Sequence, residues 1–466
     1  MSQTNKNETI VLLLAILISL GLIGGVAFWI VNHFFTPQKS AEISLNNISP
    51  TERLSLGETR LMPGDISPVK KAGIAAFADK KYKEAVANLE AALRLKRNDP
   101  EALIFLNNAK IGDNKNYTIA VSAPIGTNPN GALEMLRGVA QAQNEINTAG
   151  GIKGIPLKVA IADDENKPEI AKQIAETLVK NPEILGVVGP YGSDVTLEAG
   201  TVYNSGQLVA ISPVSTSVKI SGFSPYVFRT VPSDYVAARA LSDYMLNKLT
   251  RKNAAVVFNS QSNYSQSLKS EFVTAVSLGG GQVSREFDLS QSDFSAATTI
   301  EQAMKQGAEV LMLAPNKEQL DKALQVMQVN RKRLTMLGGD GLYTIKTLEV
   351  EGESGEGMVV AVPWHIESKT NSDFPRKSRQ LWGADVNWRT ALSYDATKAL
   401  IAALERNPSR SGVQQTLVSG DFSTIGASGV VRFLPSGDRN GTVQLVKIVH
   451  RKRSSTAEYD FVPLLP

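Results

Sequence analysis

Leu185-Gly186-Val187-Val188-Gly189-Pro190-Tyr191-Gly192-Ser193-Asp194 is a compact aliphatic run, then a glycine-rich turn, then an acid that opens a helix. An uninterrupted aliphatic run of this length reads as a parallel strand buried on both faces. The same unit recurs outward in both directions. Tyr117–Ala123 and Leu157–Ala162 precede it, Leu208–Ile211 follows, and Ile170, Ala171, Ile174 and Leu178 stripe a helix between them. A second series begins with strand Ala254–Phe258 and a helix carrying Leu268, Phe272, Ala275 and Val276. It continues with strand Val310–Leu313 and a helix carrying Leu320, Ala323, Leu324 and Met327. Strand–helix alternation of this kind predicts doubly wound parallel sheets, and two series predict two lobes. The fold class is α/β.

Doubly wound sheets take ligands at the carboxyl ends of their strands, where helix N-termini and turns expose backbone N–H groups. The residues just after each strand are therefore the candidates. Ser193 lies at one helix start, and Ser212-Pro213-Val214-Ser215-Thr216-Ser217 follows the next strand. A carboxylate would gain charge-assisted hydrogen bonds from Ser193, Thr216 and nearby amides. Ordinary capping by the same hydroxyls is the competing reading. In the second series, Ser262-Asn263-Tyr264 opens a helix, and Gly339-Asp340-Gly341 follows Met336-Leu337-Gly338. An aspartate between glycines can face a cleft unobstructed and pair with an ammonium, or it can merely close its own turn. An anion site on one lobe and a carboxylate on the other would suit a zwitterion.

The chain has 466 residues, a net charge of +4, 42% hydrophobic and 20% charged residues, as expected of a globular protein of two or three domains. No long basic stretch points to nucleic acid, and His450–Arg453 reads as part of a solvated tail over 451–466. Cysteine is absent, which excludes disulfides, thiolate catalysis and a cysteine-linked lipid anchor. Three scattered histidines, His33, His365 and His450, make a metal site an unattractive reading. No cofactor is expected. No G-x-G-x-x-G follows a strand, and no P-loop, G-x-S-x-G or H-E-x-x-H occurs, so an enzyme is not expected. Asp163 and Asp164 end a strand and read as bridging elements of the first lobe.

Ile10 to Val31 is apolar apart from Ser19 and glycines, long enough to cross a hydrocarbon core of ~30 Å. Gly25-Val26-Ala27 resembles the end of a cleaved signal, but Phe28-Trp29-Ile30-Val31 continues the run, favouring an uncleaved anchor over 10–35. Residues 1–9 would then be a cytoplasmic tail. Residues 36–66, with Pro37, Pro50 and Pro63, read as a linker. Three helices follow at about Pro68–Asp79, Tyr82–Leu95 and Pro100–Ala109, in a small all-α segment over 67–112. The spacing of Gly73, Tyr82, Ala85, Leu89 and Ala92 resembles a tetratricopeptide repeat, with Val69 at the tryptophan-like position and Arg97 where a proline usually closes the repeat. One repeat cannot bury its own face. The segment reads as a spacer or cap packed on the next domain, or as a docking site for a partner.

From Ile119 to about Val449 the chain resembles the type I periplasmic binding proteins, in their leucine/isoleucine/valine-binding branch. The segments that carry the likeness include Gly131-Ala132-Leu133-Glu134 with Arg137-Gly138-Val139, Asn144-Glu145-Ile146-Asn147 before Gly150-Gly151-Ile152-Lys153-Gly154, and Asp163-Asp164. Val187-Val188-Gly189-Pro190, Ile211-Ser212-Pro213, Phe228-Arg229-Thr230 and Tyr394-Asp395-Ala396 follow in the same order. The resemblance implies a binding domain over 115–450 whose lobes cross three times, near Ser233, Val362 and Val430. The first lobe would comprise about 115–233 and 362–429, the second about 234–361 and 430–450.

The resemblance also implies a closed cleft in which Ser193, Ser215 and Thr216 hold a ligand carboxylate, Tyr264 packs over the ligand and Asp340 meets its ammonium. Two positions depart from the family. Asn130, in Gly126-Thr127-Asn128-Pro129-Asn130, stands where an aromatic often lines the pocket, and Asn316, in Leu313-Ala314-Pro315-Asn316, stands where a tyrosine is common. The expected ligand is a small amino acid or amide, bound outside the cytoplasm by hinge closure and delivered to an ABC permease. The alternative is a sensing receptor that signals to a membrane partner without transport.

Overall fold

A computed structural model of the chain describes residues 49–368, 372–452 and 457–464. The expected tail at 1–9, the anchor at 10–35 and the first part of the linker, 36–48, lie outside the described residues. Among the described residues no helix is long and apolar enough to cross a membrane.

The first sheet holds β1 (Leu54–Ser55), β2 (Tyr117–Ala123), β3 (Leu157–Asp163), β4 (Ile184–Val188), β5 (Ala210–Ser212) and β6 (Val227–Arg229), in the order β1-β3-β2-β4-β5-β6. All pairs are parallel except β1 with β3. The second sheet holds β7 (Asn253–Phe258), β8 (Gln282–Asp288), β9 (Val310–Ala314), β10 (Thr335–Gly338) and β11 (Val359–Val362), all parallel. A separate hairpin of β12 (Thr424–Gly426) and β13 (Gly429–Val431) precedes β14 (Gln444–His450) and β15 (Tyr459–Pro463), which extend the second sheet antiparallel beyond β11. Apolar strands such as β9 are buried at every residue, as both faces of a parallel sheet under helices require.

Three stretches join the lobes. The chain leaves β6 through residues 230–233 and enters helix Asp234–Asp243, which packs on helix Asn263–Leu278 of the second lobe. It returns between β11 and helix Phe374–Trp382, where Ser378 and Trp382 both bond Gln141 of the first lobe. The last crossing falls after Asn440 rather than near Val430. Arg229 of β6 pairs with Asp438 at 2.6 Å, and Arg439 pairs with Asp395 at 2.8 Å, which hold 430–440 on the first lobe.

Close approach fixes two glycines. A Cβ on Gly138 would stand 2.2 Å from the Thr390 carbonyl, where helices Pro129–Thr148 and Trp388–Arg406 press together. Gly189 has φ +118°, and a Cβ there would stand 2.3 Å from the Ser122 carbonyl. The turn after β4 can therefore lie tight against β2.

The N-terminal part departs from the reading of a loose linker before a separate module. Leu54–Ser55 adds to the edge of the first sheet, and Arg53 is buried against Glu165. Helices Pro68–Ala78, Tyr82–Leu95 and Pro100–Ile111 stand at the expected places. The third is buried over nearly all its length: Leu103, Ile104, Phe105 and Leu106 are apolar, and the buried Glu101, Asn107 and Asn108 are hydrogen-bonded. Asn108 at its end donates to the carbonyls of Leu56 (2.6 Å) and Val159 (2.8 Å) and accepts from Gln143 and the Val159 amide. The segment is part of the first lobe's core. The expected solvated tail is likewise corrected: β15 pairs with β14.

Candidate functional site

The carboxyl ends of the parallel strands in both sheets meet at a cavity of about 540 Å³. From the first lobe, Asn128, Asn130, Tyr191, Ser193, Asp194, Val214, Asn387 and Arg389 line it. From the second come Ser262, Tyr264, Asn316, Lys317, Asp340 and Tyr343. Of the residues singled out from sequence, Ser193, Tyr264, Asp340, Asn316 and Asn130 are therefore in the wall. Ser215 and Thr216 are not.

The turn Gly189–Gly192 delivers Ser193 to the first turn of helix Ser193–Ser205. The first intrahelical bond there runs from Thr196 N–H to the Gly192 carbonyl, so the N–H groups of Ser193, Asp194 and Val195 have no helical acceptor and point toward the cavity end. The Ser193 hydroxyl accepts from the Ser217 amide at 3.3 Å, which ties this turn to the loop after β5. Ser215 sits behind that loop: its hydroxyl shares a 2.6 Å hydrogen bond with Thr196 and donates to the Tyr191 carbonyl. Thr216 is turned toward the hinge, where its carbonyl accepts from the Asp234 amide at 2.8 Å. Arg229 braces the same loop through the Ser217 carbonyl and the Ser221 hydroxyl. The hydroxyls predicted to hold ligand thus divide into one that reaches the cavity and two that build its back wall.

On the second lobe, Gly338-Gly339-Asp340-Gly341 leaves β10 and turns into the cavity. A Cβ on Gly339 would lie 2.5 Å from the Tyr264 hydroxyl, so the missing side chain makes room for that ring. The Tyr264 hydroxyl accepts from the Gly341 amide at 3.1 Å and lies beside the Asp340 carboxylate. Burial raises the Asp340 carboxyl above its usual range, opposed by the positive charge of Arg389 across the cavity. Burial likewise raises the Tyr264 phenol, with Asp340 adding to the effect. Asn316 accepts from Asn259 at 2.9 Å and lines the cavity with its amide. Asn130 stands exposed at the mouth.

Of the wall residues missed from sequence, Arg389 and Tyr191 set the charge of the first lobe's side. Arg389, the second residue of helix Trp388–Arg406, is buried; its Nε donates to the Tyr191 hydroxyl at 2.8 Å and its guanidinium lies 4.2 Å from the Trp388 ring centroid. The available signal was a cation in the first turn of a helix, where the helix dipole disfavours it. Tyr191 was inside a quoted loop, but nothing in sequence aims its ring. Behind the site, Asp234 is wholly buried, and burial raises its carboxyl to about 7. The hydroxyls of Ser267 and Thr216 are near enough to favour its charge, yet neither closes a hydrogen bond of regular geometry. At the end of β3, Asp163 accepts from the Gly126 N–H in the loop beyond β2 and Asp164 from the Ser122 hydroxyl of β2, a bridging role away from the cavity.

The periplasmic binding protein family matches residues 117–453. An amino acid binding protein of Pseudomonas aeruginosa is 30% identical over 231 residues, 48% of this chain and 61% of that protein. The Leu/Ile/Val-binding protein of Escherichia coli K12 is 23% identical over 347 residues, 73% of this chain and 92% of that protein. Among solved structures, an ABC transporter substrate-binding protein from Desulfitobacterium hafniense in complex with Leu aligns with TM-score 0.64 and 22% identity, over 75% of this chain and all of that one. A leucine binding protein from Thermotoga maritima aligns with TM-score 0.64 and 21% identity, over 75% and 99%. At these identities the structures establish the two-lobe fold. With its two parallel-sheet lobes, its cleft at the strand ends and a family match over most of its length, the chain belongs to the periplasmic binding protein family, in the type that includes the Leu/Ile/Val-binding proteins.

Proposed function

We propose that the chain captures an α-amino acid or similar small zwitterion outside the cytoplasm by hinge closure and passes it to an ABC importer, catalysing nothing. The observation that carries this reading is the opposition of charge preferences across one cavity. Asp340 stands on the second lobe; Ser193 and the open amides of its helix stand on the first. A ligand ammonium would sit at Asp340 under Tyr264, and its carboxylate at Ser193. Bridging both lobes gives the ligand higher affinity for the closed form, which is the condition for closure. The names of relatives as amino-acid- and Leu/Ile/Val-binding proteins lend support.

Tethering by 10–35 is part of the proposal and rests on the apolar run from Ile10 to Val31. A tetratricopeptide-like character for 67–112 rests on residue spacing and on the close approach of its first two helices, where a Cβ on Gly73 would stand 2.9 Å from Leu89.

A thermal-shift panel of amino acids and small amides on the full chain tests the reading, because a ligand that binds only the folded state raises Tm by mass action. At least one α-amino acid is expected to raise Tm, and its analogue lacking the amino group is not. A panel in which no α-amino acid raises Tm refutes the proposal. Co-purification of permease subunits supports delivery; recovery of a kinase or cyclase instead moves the function to sensing.

A further inference from the structure

We infer that the ligand's side chain ends in a carboxylate held by Arg389, so that the cleft is built for a dicarboxylic amino acid. This rests on the amino-acid reading above and adds a second anion to it.

Arg389 is 8% exposed. Its Nε is taken by Tyr191, but its two terminal nitrogens donate to no described protein group and look into the cavity. The acids around it do not answer that charge directly. Glu134 already bonds Arg137, Thr390 and the Asn387 amide. Asp340 faces Arg389 from the opposite lobe, yet no ion pair within 4 Å joins them. Burial and its place in the first turn of a helix act against the guanidinium charge, yet Tyr191, Asp340 and Glu134 around it outweigh burial and hold its pKa above the usual range. A buried cation kept charged by its surroundings, with its donor fork open to the cavity, is a receptor for an anion.

The first lobe therefore offers two separate donor sites with Tyr191 between them: the helix start at Ser193 and the fork of Arg389. Of the second lobe's two wall acids, Glu318 already accepts from the Asn316 side-chain amide, which leaves Asp340 for the ligand. A neutral amino acid satisfies the acid and one donor site, then seals the other against an apolar side chain. A dicarboxylic amino acid satisfies all three, with its ammonium at Asp340, its α-carboxylate at Ser193 and its distal carboxylate on Arg389. The cavity of about 540 Å³ has room for the longer side chain.

Isothermal titration of the full chain with L-aspartate, L-glutamate, L-asparagine, L-glutamine and L-leucine tests this. One acid is expected to bind at least tenfold more tightly than its own amide, because an open guanidinium fork discriminates carboxylate from amide. In Arg389→Leu that acid should lose at least tenfold in affinity, while leucine and the amides change by less than threefold. Preference of the natural chain for leucine or an amide over both acids overturns the inference and leaves the amino-acid reading standing. So does equal loss of all five ligands in Arg389→Leu, which would put the guanidinium on the α-carboxylate. Binding of none of the five by the natural chain overturns the inference, and the amino-acid reading is then decided by the thermal-shift panel. Should Arg389→Leu fail to fold, the acid-against-amide comparison on the natural chain still decides.

Discussion

The Asn263 amide N–H lies 3.2 and 3.3 Å from the two carboxylate oxygens of Asp194, and the Asn263 side chain bonds the same carboxylate. Asp194 stands in the first turn of a first-lobe helix and Asn263 opens a second-lobe helix, so one carboxylate is shared by two helix N-termini facing each other across the cleft. This latch exists only while the lobes are together. Asp194→Ala is expected to destabilise the closed form by about 1.5 kcal/mol, the scale of a hydrogen bond to a charged group. That corresponds to roughly tenfold in apparent ligand affinity. Calorimetry checks the affinity; an unchanged Kd would mean the latch contributes nothing to closure.

Asp340→Ala should weaken amino-acid binding at least tenfold, ~1.4 kcal/mol, by removing the only acid placed to meet an ammonium from the second lobe's β10 turn. Titration calorimetry with the best ligand from the thermal-shift panel is the check. Full affinity in the variant would remove Asp340 from the site.

Ser193→Ala and Ser215→Ala should separate binding from support. Ser193 reaches the cavity, so its loss is expected to cost ~0.5–3 kcal/mol of ligand affinity. Ser215 bridges Thr196 and the Tyr191 carbonyl behind the wall, so its loss should cost ~1–3 kcal/mol of folding stability. Paired thermal melts and titrations distinguish them, and the reverse pattern would exchange their roles.

Asp234 makes stability depend on pH. Burial lifts its carboxyl in the folded chain from 3.8 to about 7, with the like charge of Asp340 adding to this and Arg229 opposing it. Between those two values the folded state binds more protons than the unfolded one. The contribution is therefore fully favourable below about pH 4 and is lost as pH rises through about 7. At ~1.4 kcal/mol per unit, Asp234→Asn is expected to stabilise the chain by ~1–4 kcal/mol at pH 8 and by little at pH 4. Denaturant melts at the two pH values provide the test, and equal effects at both would contradict it.

Asn108→Ala removes hydrogen bonds that join the third N-terminal helix to Leu56, Gln143 and Val159. A loss of ~2–4 kcal/mol is expected, since several buried backbone groups are left unpaired at once. Limited proteolysis should cut earlier between residues 50 and 115. Unaltered cleavage would show that the helices are held by apolar packing alone.

The parts legible in sequence are those where one physical demand dominates. Strands such as Val310–Ala314 are buried on both faces, and only a continuous apolar run meets that demand. Gln282–Asp288 went unread because it is a polar edge strand, with no apolar stripe to mark it. In the site, position after a strand predicted Ser193 and Asp340, because strand ends converge by topology. The same rule could not tell that Ser215 and Thr216 turn inward, since which way a hydroxyl faces depends on the loop braced by Arg229. Arg389 escaped for a different reason: it belongs to no strand end, and it lies at the start of the helix that Gly138 lets press against its neighbour at Thr390.

Family likeness begins at Tyr117, but among the described residues the first lobe is already engaged upstream, by Arg53 and Leu54–Ser55. A chain shortened to start at Lys115 would lose the edge strand Leu54–Ser55 and uncover the surface that Ile104, Phe105 and Asn108 now seal. It would be expected to clump or misfold even with every ligand contact intact. A piece fit for study is therefore set by what the first lobe needs covered, and it must reach at least to Arg53, 64 residues upstream of where homology alone would place the cut (117 − 53).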